Sequence, residues 1–163
     1  LWNLQTLDLS GCSSLTQLPV DMGKLINLRY LGISGTKLIE MPMHISRIRG
    51  LQHLSAFVVG KESGTQINEL RELCHLHGTL SIKGLQNVTN SADALKANLK
   101  DKKQLANLEL RWSGETSDTQ NERDVLDKLQ PHARVKNLTI KNYGGMRFPD
   151  WLGQPLFLNL VFL

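Results

Sequence analysis

The segments LQTLDLSGCSSLTQLP (4–19) and LRYLGISGTKLIEMP (28–42) are one line written twice. Leu4, Leu7, Leu9 and Cys12 return as Leu28, Leu31, Ile33 and Thr36, each 24 residues on. Leu15, Leu18, Pro19 and Met22 return as Leu38, Met41, Pro42 and Ile45, each 23 residues on. The apolar letters hold while the polar letters change. That is how a chain reads when each short unit buries its apolar face against the next.

The pattern is L-x-x-L-x-L-x-x-N/C-x-L, the line of a leucine-rich repeat, with one short strand per unit. A third copy starts at Leu51 and Leu54, with Ala56 in the third apolar slot. Leu80-x-Ile82, Leu108-x-Leu110 and Leu138-x-Ile140 supply strands four to six, and Leu160-x-x-Leu163 opens a seventh. Side chains alternate across a strand, so the paired leucines point inward and the residues between them outward. Leu7, Leu31, Leu54, Leu80, Leu108 and Leu138 are expected to form one buried row. Cys12 stands at the Asn/Cys position, where the residue satisfies backbone groups of the turn.

The longer spacers carry helical patterns. INELRELCHL places Ile67, Leu70, Leu73 and Cys74 on one face, and SADALKANLKDKKQL gives a stripe of Ala94, Leu95 and Leu99. Thr119, three residues before Glu122, has capping-box spacing ahead of Val125, Leu126 and Leu129, and Pro131 closes that helix. SGETSDTQNE (113–122) reads as a mobile surface loop. The fold expected is an α/β leucine-rich-repeat solenoid of about six to seven repeats. Short parallel strands line its concave face, and helices and turns its convex side. One domain covers 1–163, with regular repeats over 1–60 and longer, helix-bearing ones over 61–163. With no initial methionine and an end inside a repeat, the chain reads as a piece of a larger protein.

Composition excludes several classes. Charged residues make up 21% and hydrophobic ones 40% of the 163, the balance of a folded rather than a disordered protein. The net charge of +4 is diffuse and does not imply nucleic acid, and Lys100-Asp101-Lys102-Lys103 reads as a solvated helix end. Two cysteines build neither a disulfide framework nor a cysteine-rich zinc site, and their sparseness fits a reducing compartment. No apolar run reaches the ~18 residues of a membrane span.

The chemical motifs fail one by one. A phosphate loop would need a glycine where Ser55 stands and Ser or Thr where Glu62 follows Gly60-Lys61. No two histidines are spaced four apart with a carboxylate between them, as helix-borne zinc ligands require. Ser10 and Ser34 do not sit in a nucleophile elbow. The sequons at Asn87 and Asn137 are discounted because no secretory signal accompanies them. No catalytic residue, cofactor or metal site is expected.

The outward strand residues remain. Lys83, Arg111 and Lys141 share one slot in three successive repeats. Either this is a solvated ladder that costs little, or it is a stripe for an acidic partner surface. Candidate protein contacts are Tyr30, Ser34, Lys83, Glu109, Arg111, Trp112 and Lys141. Trp112 and Tyr143 read equally as edge packing.

The segments LTQLPVDMGKLINLRYLGISGTKLIEMPMHI, LQHLSAFVVGKESG, INELRELCHLHGTLSIKGLQNV, DALKANLKDKKQLANLELRWS and VLDKLQPHARVKNLTIKNYGGMRFPDWLG together resemble the repeat region of plant disease-resistance proteins. The likeness is to the coiled-coil class of nucleotide-binding leucine-rich-repeat immune receptors. It implies recognition of a pathogen effector or a guarded host protein, and contact with the nucleotide-binding domain of the full-length chain that holds that switch inactive. It implies no cofactor here, because no nucleotide-binding motif is present. It also implies an intracellular location, since TQLP and IEMP stand where extracellular plant repeats carry G-x-I-P. The alternative is the substrate-recognition arm of an F-box-type ubiquitin ligase, which uses similar repeats.

Overall fold

A computed structural model describes residues 1–61, 64–114 and 119–154, and the backbone of 161–162. Among the described residues eight short strands run in chain order: β1 (Thr6–Asp8), β2 (Tyr30–Gly32), β3 (His53–Leu54), β4 (Ala56–Val58), β5 (Gly78–Lys83), β6 (Leu105–Arg111), β7 (Asn137–Lys141) and β8 (Val161–Phe162). Every pairing is parallel, in two sheets ordered β1-β2-β3 and β4-β5-β6-β7-β8. Neighbouring repeats thus supply neighbouring strands. Among the described residues the connections between them carry 3-10 turns and the helices α1 (Ser91–Lys96) and α2 (Gln120–Lys128).

The leucine rows form in register. Leu7 lies opposite Leu31 and Leu31 opposite Leu54 in the first sheet. Leu80 faces Leu108, which faces Leu138, in the second. Leu31, Leu54, Leu80, Leu108 and Leu138 are buried within one continuous apolar core.

The single row expected along all six strands breaks at Ser55. The Ile33 amide donates to Ser55 Oγ at 2.8 Å, where the next rung of a ladder would use a backbone carbonyl. The chain steps out of frame there and re-enters as β4. Ala56 then lies opposite Ser81, and Phe57, opposite Ile82, takes the inward slot assigned to Ala56. Phe57 is fully buried. Ser55→Ala removes the acceptor from a buried amide and is expected to cost about 1–3 kcal/mol, whereas Ser55→Thr keeps the hydroxyl and costs less. Urea unfolding of the two variants measures the difference.

Repeat length decides what covers the strands. INELRE forms a 3-10 turn, Ile67–Glu72, whose three-residue period buries Ile67, Leu70 and Leu73. Cys74, on the same face only at the α-helical period, is exposed. Helix α1 is capped by Asn90, whose side chain accepts from the Ala92 amide. It buries Ala94, with Ala97 just beyond its end. Asn98 in the left-handed region turns the chain so that Leu99 points inward on the next turn, leaving Leu95 52% exposed rather than in the stripe. Helix α2 keeps the Thr119 half of its capping box and its apolar stripe, while Glu122 Oε2 accepts from the Gly144 amide at 3.3 Å. The Glu122 amide donates to Thr119 Oγ1, and Val125, Leu126 and Leu129 are buried.

Of the polar stretch 113–122, residues 115–118 lie outside the described residues, and Gln120 to Glu122 already belong to α2. Leu160 and Leu163 also lie outside them. In the last repeat it is Phe162 that stands opposite Leu138. Lys102, expected in a solvated helix end, is only 3% exposed and donates to the carbonyls of Leu70 at 2.7 Å and Leu73 at 3.0 Å. Its aliphatic stem lets one repeat reach the turn of the preceding one while the ammonium satisfies that turn's last carbonyls.

Candidate functional site

Three strands, β5 to β7, hold their outward residues in transverse rows set by the ladder register. Thr79, Asn107 and Asn137 form one row, Ser81, Glu109 and Thr139 the next, and Lys83, Arg111 and Lys141 the third. Adjacent strands lie ~4.8 Å apart, so neighbours in a row are within side-chain reach. In the first row Asn107 Nδ2 donates to Thr79 Oγ1 at 2.9 Å, and Asn137 Nδ2 donates to Asn107 Oδ1.

Glu109 organises the other two rows. Its Oε1 accepts from Ser81 Oγ at 2.8 Å and lies 3.1 Å from Arg111 Nη2, and its Oε2 lies 2.9 Å from Lys141 Nζ. Partial burial pushes its pKa up. Hydrogen bonds from Lys141 and Ser81 and the charges of Arg111 and Lys141 outweigh that and hold the carboxyl below its ordinary value. The ladder is therefore not three free cations. Two of them share one carboxylate, while Lys83 has no carboxylate within ion-pair distance among the described residues. Arg111 meets Glu109 through Nη2, and its buried Nε has no acceptor among the described residues.

The other candidates lie elsewhere. Tyr30 is half-buried in the first sheet, its ring 5.5 Å from His53, whose ring in turn lies 4.1 Å from that of His77. Burial, and then the charge of His77, pushes the His53 pKa down. Ser34 is exposed beyond the end of β2, and its carbonyl accepts from the Gly11 amide. Trp112 is fully buried, so it offers nothing to a partner. It continues the alternation of β6 one step past Arg111, turning inward with Leu108 and Leu110. Its ring lies 5.2 Å from that of Tyr143, and its carbonyl accepts from Asn142 Nδ2.

The sequence reading left out the amide row and the bridging role of Glu109. Both were signalled by shared slots: Thr79, Asn107 and Asn137 occupy one position in successive repeats, and residues 109 and 111 must emerge on the same side of a strand.

Other chemistry is tied up structurally. The amide of Asn87 donates to the Val59 carbonyl, and Asn137 is bonded within its row, so both sequon asparagines are committed. Thr36 Oγ1 donates to the Ile33 carbonyl at 2.8 Å, the turn role expected at this position, whereas Cys12, its counterpart one repeat earlier, is exposed. Among the described residues no three His, Cys, Asp or Glu side chains are grouped to hold a metal, and no helix is long and apolar enough to cross a membrane.

Comparison with known proteins places this arrangement. A family profile described as R13L1/DRL21 LRRs matches residues 67–163, and one described as Leucine Rich Repeat matches 3–25. The disease resistance protein RGA1 of Solanum bulbocastanum is 42% identical over 207 aligned residues, covering 98% of this chain and 21% of that one. The disease resistance RPP13-like protein 1 of Arabidopsis thaliana is 47% identical over 116, covering 66% and 11%. The chain thus spans about a fifth or less of these relatives. A solved leucine-rich-repeat protein of Leptospira interrogans superposes with a TM-score of 0.51 at 20% identity, over 92% of this chain and 34% of that one, a likeness of fold.

Proposed function

We propose, for a chain that belongs to the R13L1/DRL21 leucine-rich repeats of plant disease-resistance proteins, the role of a protein-recognition surface in an intracellular immune receptor. The partner is a pathogen effector or a guarded host protein. In the full-length receptor the same repeats hold the nucleotide-binding domain in its inactive state, and this segment acts without a cofactor or catalysis of its own. The observation that carries the reading is the set of transverse rows on β5 to β7. Three polar rows stand on a rigid leucine scaffold, with Glu109, Arg111 and Lys141 joined by ion pairs and Lys83 beside Arg111 in the same row. Tyr30 and Ser34 form a separate, smaller contact on the first sheet.

The mechanism is differential binding. A ligand shifts the switch only by as much as it prefers the released arrangement to the held one. A rigid face serves this well, because little ordering is lost when the partner docks.

The test is made in the full-length receptor. Lys83→Gln, Arg111→Gln and Lys141→Gln together are expected to abolish the response to the pathogen while the protein accumulates normally. Neutral side chains avoid crowding Glu109 with further carboxylates. An unchanged response overturns the recognition role of this face, and a response without pathogen assigns the face to holding the switch instead.

A further inference from the structure

Arg111 and Lys141 are occupied, yet the occupation is incomplete. One carboxylate serves both, and it meets the guanidinium through Nη2 while the buried Nε has no acceptor among the described residues. A guanidinium fork binds a carboxylate best with two parallel donors, so half of the fork is unused. Lys83, in the same row, is uncompensated among the described residues. Across Lys83, Glu109, Arg111 and Lys141 the sum is two positive charges. All four side chains remain partly exposed, Glu109 the least of the three ion-paired ones, at 20% against 35% for Arg111 and 47% for Lys141.

We propose that Glu109 is a resident stand-in for the carboxylates of an acidic segment of a separate protein partner: it holds Arg111 and Lys141 until such a segment, met first by Lys83, takes its place on the guanidinium. This rests on the reading of β5 to β7 as a contact face and supplies the chemistry of what that face contacts.

Spacing permits the occupant. The strands carrying Lys83 and Lys141 are ~9.6 Å apart, two steps of the sheet. Alternate side chains of an extended segment are roughly 6.6–6.8 Å apart. A segment with carboxylates at alternate positions therefore engages the row at two points within lysine reach. The resident carboxylate also sets a threshold. A ligand with one carboxylate only exchanges one ion pair for another, whereas a ligand with several gains Lys83 as well. Glu109 thereby selects for clustered acid.

The experiment uses a fluorescein-labelled octapeptide of alternating Glu and Ser, with the Lys–Ser counterpart as control. Binding to the full chain is read by fluorescence anisotropy at low and moderate salt. Glu109→Gln keeps the shape and an acceptor for Ser81 but removes the charge. It is expected to bind the acidic peptide about 5- to 10-fold more tightly than the parent at low salt, and Lys83→Ser about 5-fold less tightly. Both differences should shrink as salt is raised. Ser81→Ala, which loosens Glu109 without removing it, should tighten binding by a smaller factor, a second reading if the Gln variant does not fold. Equal affinity of parent, Gln and Ala variants overturns the stand-in role but leaves the face as an acidic contact. Absence of acidic-peptide binding in every variant overturns both.

Discussion

Trp112→Ala is expected to lower the stability of the chain by about 3–5 kcal/mol, among the largest effects of any single truncation. Trp112 heads the fully buried side chains in volume and sits where the last residue of β6 passes into the following turn. Its ring lies 5.2 Å from that of Tyr143 at 56°, and Asn142 of the next repeat is fixed to its carbonyl. Truncation opens a void between two repeats whose backbones are already tied by the strand ladder, so the site cannot collapse to fill it. Trp112→Phe is expected to cost much less, because the indole N–H has no acceptor among the described residues and none of them is left unpaired when it goes. Urea unfolding of the three proteins gives the order parent, Phe, Ala. An Ala variant within about 1 kcal/mol of the parent would contradict the buried placement.

Lys102→Ala is expected to cost about 2–4 kcal/mol near neutral pH, through the lost hydrogen bonds to the Leu73 carbonyl and to the Leu70 carbonyl, which keeps the Leu73 amide as a donor, and through the space vacated by the stem. Lys102→Met keeps the volume and loses only the donors, so it should be milder. The charge itself is held under strain. Burial pushes the Lys102 pKa down to about 8, with Cys74 and Asp101 opposing the shift. Below about pH 8 both folded and unfolded chains hold the proton, and the group contributes no pH dependence. Between about 8 and the ordinary value of 10.5 the unfolded chain binds a proton that the folded one has released. The lysine's contribution to stability therefore rises with pH through that window. The stability of the parent relative to Lys102→Met should improve by about 1–2 kcal/mol from pH 7 to pH 9.5. A difference that falls or stays level would refute the buried ammonium.

These two residues also mark where the sequence was harder to read. The leucine rows were legible because a strand has a period of two and the repeat returns it to register. Leu80, Leu108 and Leu138 fall into line without knowledge of what joins them. The cap at Thr119 was legible because it depends only on neighbours. The connections were less so. Cys74 and Leu95 fit an α-helical stripe, but the chain adopts a 3-10 turn at one and a six-residue helix broken at Asn98 at the other, and both side chains face out. Lys102 is buried because its partners lie about thirty residues back, a distance that no local pattern encodes.

At the candidate face the shared slot of Lys83, Arg111 and Lys141 was read correctly as a row. Its charge was not. Glu109 is two residues from Arg111 on the same strand and one strand from Lys141, so its neutralising position followed from alternation alone. The same alternation, carried one residue further, turns Trp112 into the core. Ser55 gave no such warning. A hydroxyl standing in for a backbone carbonyl changes the frame of β4 while the apolar letters around it still fit the repeat.

On the proposed reading the leucines set the scaffold while the outward rows of β5 to β7 carry recognition. The direct measurement is to exchange Thr79, Ser81, Lys83, Asn107, Glu109, Arg111, Asn137, Thr139 and Lys141 for the residues at the same positions of a relative with a different pathogen specificity, in the intact receptor. Pathogen response is scored alongside the melting temperature of the purified repeats. A response that follows the exchanged residues, with melting unchanged, is the predicted result. A specificity that stays with the original receptor after the exchange, in a protein that still folds, would contradict it.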